Sequence, residues 1–154
     1  MSTSKVVQVF ISYAHADEAF CKELEKHLKL LQRRGLIAPW HDRRIAPGDD
    51  WRGMIDTHLE DADLVLLLVS SNFVASDYCW DVEMNRALQR HDERTALVVP
   101  IIVKPVDLAG APFMRIQGLP RDLKPISTWA DRDEAWVQVT AELTRRIQEI
   151  ASSR

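Results

Sequence analysis

The residue types best suited to chemistry in this sequence are one carboxylate, Glu83, and two side chains that precede it at helical spacing, Cys79 and Trp80. Residues three and four apart share a face of a helix, so Glu83 is expected beside a thiol and an aromatic ring. A carboxylate in such surroundings is partly desolvated, and its contact with a developing positive charge is strengthened. The alternative is a solvated glutamate paired with Arg86. The other nearby carboxylate, Asp81, falls on a different part of the helix surface.

The remaining candidate groups stand in loops and at a strand end. Arg43 and Arg44 lie in a polar loop with a Pro-Gly turn, and guanidinium groups suit phosphate oxygens. Exposure to solvent, or contact with another subunit, is the alternative for both arginines. Ser70 and Asn72 follow an apolar run, where these residue types form turns first and contact ligands second.

Two aromatic residues close the first apolar run, Phe10 and Tyr13. Phe10 is expected in the core, although it is also a candidate for the lining of a cleft. For Tyr13, a place in the lining of the site and a place in the core are about equally expected. The five histidines are scattered, and none is given a catalytic role.

Composition and missing motifs exclude several function classes. With 46% hydrophobic residues and a formal net charge of −3, the chain has no basic surface of the kind that binds nucleic acid. No Gly-x-Gly-x-x-Gly or Walker loop follows a strand, and no His, Cys or carboxylate group has metal-ligand spacing. The longest apolar run, Leu64 to Val69, is too short to span a bilayer, and the N-terminus lacks the apolar core of a secretory signal. Cys21 and Cys79 are expected as small buried residues in a cytoplasmic protein.

The elements that position these groups follow from hydrophobic periodicity. Strands alternate with helices, which predicts a parallel sheet covered on both faces by right-handed crossovers. Ligands then bind beyond the carboxyl ends of the strands, where Ser12 to Asp17, His41 to Asp50, and Ser70 to Asp77 converge. The predicted strands are Val6–Ser12, Leu36–Trp40, Leu64–Val69, Leu97–Val103 and a short edge strand at Pro125–Ser127. The predicted helices begin at Asp17 as the N-cap, near Trp51, at Ser76 or Asp77, and at Asp131, the last running to Ile150.

Three segments together resemble a known family. The first strand reads VFISYAHAD from Val9 to Asp17, the polar loop reads DRRIAPGDDW from Asp42 to Trp51, and LLVSSNFVASDYCWDVEM runs from Leu67 to Met84. They are similar, in order, to the opening strand, the BB loop, and the strand, CC loop and helix-C motif of TIR (Toll/interleukin-1 receptor-like) domains. Tyr78 stands five residues before Glu83, where many members have four, and Trp80 is a second candidate for the aromatic.

This resemblance implies a fold and an activity. The implied fold is a flavodoxin-like three-layer α/β sandwich with a central, mainly parallel five-stranded sheet. Short bacterial members are NAD⁺ glycohydrolases or cyclases that cleave the nicotinamide–ribose bond, which makes Glu83 the catalytic residue and NAD⁺ a substrate rather than a cofactor. The implied substrate-binding residues are Phe10, Tyr13, Arg43, Arg44, Ser70, Asn72, Cys79 and Trp80.

The resemblance also implies assembly. Relatives act as bacterial anti-phage effectors when other TIR domains join them in pairs or filaments, and here Ile45, Pro47 and Gly48 would form the assembly loop. The whole of residues 1–154 is expected to be a single TIR domain, and its abrupt end suits a domain cut from a longer effector with a sensor domain. A non-enzymatic adaptor that only recruits other TIR domains is the alternative. A nucleoside ribosyl-transferase is a third reading, by analogy of fold alone.

Overall fold

The computed structural model describes residues 6–42 and 57–153, which form a parallel sheet covered by helices on both faces. The strands of the described part lie in the order β2-β1-β3-β4, and every neighbouring pair is parallel. The strands are β1 Val9–Ser12, β2 His41–Asp42, β3 Leu64–Val69 and β4 Leu97–Ile102. The α-helices are α1 Glu18–Arg33, α2 Thr57–Asp61, α3 Ser71–Ala75, α4 Asn85–Asp92 and α5 Arg132–Ser153. A π-helix runs over Tyr78–Met84, and short 3₁₀ helices occupy His15–Asp17, Pro112–Arg115, Arg121–Leu123 and Ile126–Thr128.

The central strand explains why the sheet is covered on both faces. All six residues of β3 are buried, because the strand has helices above and below it and neighbours on both sides. Leu64, Leu66 and Leu68 pack into a core with α1 and α5. Val65, Leu67 and Val69 alternate with them and join a second core with the π-helix and α4. The predicted bounds of this strand are confirmed.

The predicted second strand, Leu36 to Trp40, was wrong in its position. Ile37 makes only an isolated bridge to Val7, and the ladder resumes at His41–Asp42. Pro39 stands between these two pairings. Proline has no N–H to donate, so Pro39 cannot add a donor to the ladder between these pairings.

The predicted edge strand at Pro125–Ser127 was also wrong, so the described residues hold four strands where five were expected. Ile126–Thr128 is a 3₁₀ helix, closed by bonds from the backbone N–H and the hydroxyl of Thr128 to the carbonyl of Pro125. On the outer side of β4, individual backbone hydrogen bonds take the place of a fifth strand. Leu119 bonds to Pro100 and Ile102, and the N–H of Ser127 donates to Val103.

Helix α1 begins and ends at the predicted positions. Gly35 has a φ of 75° and the N–H of Leu36 donates to the carbonyl of Leu31, the arrangement in which a left-handed glycine ends a helix. Asp17 holds the N-cap position, but its side chain makes no capping bond. The carboxylate is used elsewhere, as described below.

The helix predicted from Ser76 or Asp77 to about His91 is divided in two. Tyr78–Met84 has π-helical hydrogen bonding. Helix α4 follows it directly, from Asn85 to Asp92. Predicted α5 is confirmed, beginning one residue later and ending three residues beyond Ile150. Within residues 6–42 and 57–153, no helix combines the length and the apolarity needed to cross a membrane.

A buried carboxylate site at the carboxyl edge of the sheet

Glu83 lies at the edge where the parallel strands end, which we call the carboxyl edge. Its side chain is fully buried, with 0% exposure, although sequence predicted only partial desolvation. The hydroxyl of Ser12, the last residue of β1, donates to Glu83 Oε1 at 2.7 Å. Ser12 is also fully buried, so the bond joins the π-helix to the central sheet inside the protein.

The π-helix accounts for the unusual spacing between Tyr78 and Glu83. In a π-helix the repeating hydrogen bond spans five residues, where an α-helix spans four. Residues five apart are therefore brought together along the axis much as residues four apart are in an α-helix. Both Tyr78 and Glu83 are buried, at 5% and 0% exposure. π-Helical turns occur mostly as single-turn insertions and often at functional sites.

Cys79 and Trp80 border Glu83 in sequence and differ in burial. Cys79 is fully buried in the core shared with α4, as expected of a small buried residue. Trp80 is half-buried at the border of this core. Its ring meets Phe113 edge to face, with centroids 6.1 Å apart and planes at 72°. Phe113 itself is fully buried, so it holds one side of the indole ring in place.

Phe10 and Tyr13 lie on opposite faces of the sheet. Phe10 is fully buried in the core that contains Cys79, which agrees with the expectation that it packs. Tyr13 is half-buried and packs against the core formed with α1 and α5. Both remain predicted contacts for a substrate, and the structure brings only Phe10 to the face that carries the π-helix.

Ser70 and Asn72 converge on a second buried carboxylate, Asp17. The hydroxyl of Ser70 makes a very short hydrogen bond to Asp17 Oδ2, and Asn72 Nδ2 donates to Oδ1 at 3.0 Å. Ser70 also accepts from the N–H of Phe73 and so caps α3. The ammonium of Lys104, which follows β4 and is 43% exposed, lies 3.7 Å from Asp17 Oδ1. Asp17 itself is 1% exposed.

The solvated alternative for Glu83 is wrong, because its side chain is fully buried. Arg86 makes two hydrogen bonds to the carboxylate of Glu60, at 2.5 and 2.8 Å. The hydrogen bond from Arg86 holds the pKa of Glu60 below its usual value, against the opposing effect of burial.

The remaining predicted residues lie outside the described part of the chain. These residues are Arg43, Arg44, Ile45, Pro47 and Gly48, together with the predicted start of a helix near Trp51. Their proposed contacts with phosphate and with a second TIR domain stay predictions. Among the described residues, no group of three or more His, Cys, Asp or Glu side chains could hold a metal ion.

Sequence reasoning missed four residues around this edge: Ser12, Asp17 as an acceptor, Lys104 and Phe113. Ser12 had a detectable pattern. It shares the strand face of Phe10 by the two-residue period and is the one polar residue of a four-residue strand that is buried throughout. Lys104 and Phe113 follow β4, and no local pattern relates them to groups that precede them by tens of residues.

The arrangement can stabilise a cation that comes within reach of Glu83. A carboxylate removed from water interacts far more strongly with a charge than a solvated one does, because the surrounding dielectric is low. The bond from Ser12 directs one oxygen of the carboxyl group. An oriented carboxylate suits a reaction whose transition state gains positive charge.

Two comparisons with known proteins show what this chain is similar to. The family model described as "TIR domain" matches residues 9–146. The chain is similar to a protein of Sinorhizobium fredii called "Uncharacterized protein y4lF", with 49% identity over 148 residues. The match covers 94% of this chain and 46% of the relative, so the chain spans about half the length of that protein.

Proposed function

From the premise that this chain belongs to the TIR domain family, we propose that it cleaves the nicotinamide–ribose bond of NAD⁺, with Glu83 as its catalytic carboxylate. The family includes NAD-cleaving members, and it also includes members that work through contacts with other TIR domains. The observation that carries the enzymatic proposal is the buried, hydroxyl-bonded carboxylate at the carboxyl edge of the sheet. This is the edge at which open parallel sheets bind their ligands.

The chemistry of this bond needs one carboxylate. The C1′–N bond breaks with its electron pair on the nitrogen, so nicotinamide leaves as a neutral pyridine and no acid has to protonate it. Other glycosidases use two carboxyl groups, one of which protonates the leaving oxygen. Glu83, bonded to the ribose hydroxyls, would stabilise the oxocarbenium-like transition state. Water then forms the new C1′–O bond and releases a proton, or an internal nucleophile gives a cyclised product.

An aromatic residue close to Glu83 in sequence, Trp80, suits the same substrate. Trp80 is half-buried and held from one side by Phe113, which leaves part of a rigid ring at the border of the core. A flat nicotinamide ring with a positive charge stacks favourably on an indole. Arg43 and Arg44 are proposed contacts of the pyrophosphate, since guanidinium forks match phosphate oxygens.

Regulation by assembly is part of the proposal. TIR domains generally interact with other TIR domains. We expect Ile45, Pro47 and Gly48 to dock on an adjacent subunit, so that nicotinamide release rises more steeply than in proportion to protein concentration. An anti-phage effector role, with a sensor domain elsewhere in a longer protein, would supply the trigger. A strictly proportional dependence over a wide concentration range would exclude activation by assembly.

The test is nicotinamide release from NAD⁺ by concentrated protein, with and without a crowding agent, beside Glu83→Gln. The amide keeps the volume and an acceptor for Ser12 but removes the charge, so we expect release to fall by roughly 100-fold or more. The matched control is Asp63→Asn, since Asp63 is a 4% exposed carboxylate at the opposite edge of the sheet. We expect that variant to retain its activity per folded molecule.

Each outcome has a clear meaning. Release that Glu83→Gln leaves unchanged would move the catalytic carboxylate elsewhere, and Asp81→Asn would be tested next. Equal losses in Glu83→Gln and Asp63→Asn would show that a general weakening of the fold is responsible. No release from the wild type under any condition would favour a non-enzymatic adaptor.

The adaptor is favoured by one specific observation, the complete burial of Glu83. A carboxylate with no exposed surface must become accessible before any substrate reaches it. As an adaptor, the protein would form concentration-dependent complexes with other TIR domains and keep Glu83 as a structural group. Sedimentation of the wild type beside the release assay separates the two functions, because an adaptor would assemble without releasing nicotinamide.

A further inference from the structure

We infer that Ser12 is a positioning residue for Glu83, and that its hydroxyl sets the orientation in which the carboxylate meets the ribose. This inference rests on the proposed function. The direct observation is the 2.7 Å bond from Ser12 Oγ to Glu83 Oε1, made between two side chains with 0% exposure and 71 positions apart in the chain.

The position of Ser12 makes its own placement rigid. It is the last residue of β1 and pairs in register with Leu67 of the central strand. Its neighbours in β1 are all buried, so the backbone on which it stands moves little. Side chains supported by regular elements hold a site more firmly than side chains on loops do. The orienting group for Glu83 is therefore anchored in the sheet.

The π-helix that carries Glu83 needs such an anchor. Its hydrogen-bond geometry is rarer than that of an α-helix, and the segment continues into α4 at Asn85. The bond from Ser12 restricts the three side-chain torsions of Glu83 by fixing the position of Oε1. A carboxylate accepts at about four lone-pair sites, so the bond from Ser12 takes up only one of them.

The neighbouring strand end shows that the pairing is selective. Ser70 follows β3 as Ser12 ends β1, and both serines are fully buried. Ser70 nonetheless bonds to Asp17 and to the backbone of Phe73, while Ser12 bonds to Glu83. The two buried serines of this edge thus serve two different carboxylates.

The experiment measures kcat and KM for NAD⁺ in Ser12→Ala and Ser12→Thr. Removing an orienting bond to a charged group is expected to lower kcat by roughly 10- to 100-fold. Because the affected interaction belongs to the transition state, kcat/KM should fall by the same factor and KM should change little. Ser12→Thr retains the hydroxyl and should keep most of kcat, even if its extra methyl group lowers the midpoint of unfolding.

A matched control separates positioning from stability. Ile37→Val removes one methylene group from a 2% exposed residue on the other face of the sheet. It should lower the unfolding midpoint by a shift similar to that of Ser12→Ala while leaving kcat unchanged. If Ser12→Ala gives too little folded protein, Ser12→Cys replaces it, since a thiol of similar size is only a weak donor.

The outcomes distinguish this inference from the proposed function. If the wild type releases no nicotinamide, the proposed function fails and the role of Ser12 fails with it. If the wild type is active and Ser12→Ala keeps its kcat, only the role of Ser12 is overturned. A raised kcat in Ser12→Ala would overturn it too, since the bond would then hold Glu83 away from its working position. Loss of kcat in Ile37→Val and Ser12→Thr alike would assign the effect to stability.

Discussion

The two edges of the sheet bury polar groups in different ways. At the amino edge, where the strands begin, Arg90 is 8% exposed and donates to the carbonyls of Leu59, Ala62 and Thr95 at 2.7 to 2.8 Å. Asp63, at the same edge, accepts the N–H of Gln8 at 2.9 Å. The partners of these buried charges are therefore mostly backbone groups.

At the carboxyl edge the buried carboxylates accept hydrogen bonds from side chains. Ser12 donates to Glu83, and Asp17 accepts from Ser70 and Asn72. A backbone partner changes only when the chain itself moves, whereas a hydroxyl group can turn within an intact fold. We therefore expect the amino edge to contribute mainly stability and the hydroxyl partners at the carboxyl edge to be exchangeable.

The largest effect on stability is expected at the amino edge, from Arg90→Leu. Three carbonyls lose their donor in a nearly dry environment, so the free energy of unfolding should fall by about 3 kcal/mol. Arg86→Leu in the same helix is the matched control. Its pair with Glu60 is partly solvated, so its loss should be much smaller than that of Arg90→Leu. Urea unfolding measures both, and equal losses would remove the distinction between backbone and side-chain partners.

A smaller effect is expected at the carboxyl edge, from Asp17→Asn. The amide replaces one acceptor with a donor that faces the donors of Ser70, Asn72 and Lys104, so the free energy of unfolding should fall by about 1–3 kcal/mol. Asp107→Asn is the control, because Asp107 is exposed and accepts only from Ala109 within its own turn. A loss no larger than that of the control would show that the Asp17 cluster is not a structural unit.

The smallest effect concerns His91, beside the amino edge. Burial, followed by the charge of Arg115, lowers the pKa of His91, and its Nδ1 accepts the N–H of Val98 at 3.1 Å. A histidine with a lowered folded pKa binds fewer protons folded than unfolded. Its contribution to stability is therefore present above the ordinary pKa of about 6.5 and is lost as the pH falls below it.

The corresponding measurement is the free energy of unfolding between pH 7.5 and pH 5.5. The wild type should lose stability over this window, and His91→Gln, which keeps an acceptor but does not titrate, should lose less. Activity per folded molecule should not follow the difference between the two proteins. A steeper loss in His91→Gln would contradict the sign of the pKa shift.

Hydrophobic pattern was a good guide where burial is continuous. The bounds of Leu64–Val69 were predicted without error, and helix α5 was displaced by only one residue at its start. Pattern failed at the sheet margins. Leu36–Trp40 and Pro125–Ser127 are short segments containing proline, and tertiary contacts with Val7 and Val103 decide how far each pairs.

The candidate site was predicted in part. Glu83 was identified through the resemblance of its motif, and its placement at the carboxyl edge followed from the alternation of strands and helices. Its partner, Ser12, was not identified, because a serine at the end of an apolar strand is compatible with many roles. The spacing of five residues between Tyr78 and Glu83, one more than in many TIR domains, was visible in the sequence. The π-helix that accommodates this spacing was not predicted.

The sequence alone determined the family, the parallel sheet and the carboxylate at its carboxyl edge, because each depends on periodicity or on a local motif. The tertiary structure alone decided which groups meet. Ser12 and Glu83 are 71 positions apart, and Asp17 and Ser70 are 53 apart. Local sequence patterns do not predict contacts between residues so far apart in the chain. They arise when the crossovers bring strand ends together, and the burial that results makes each hydrogen bond selective.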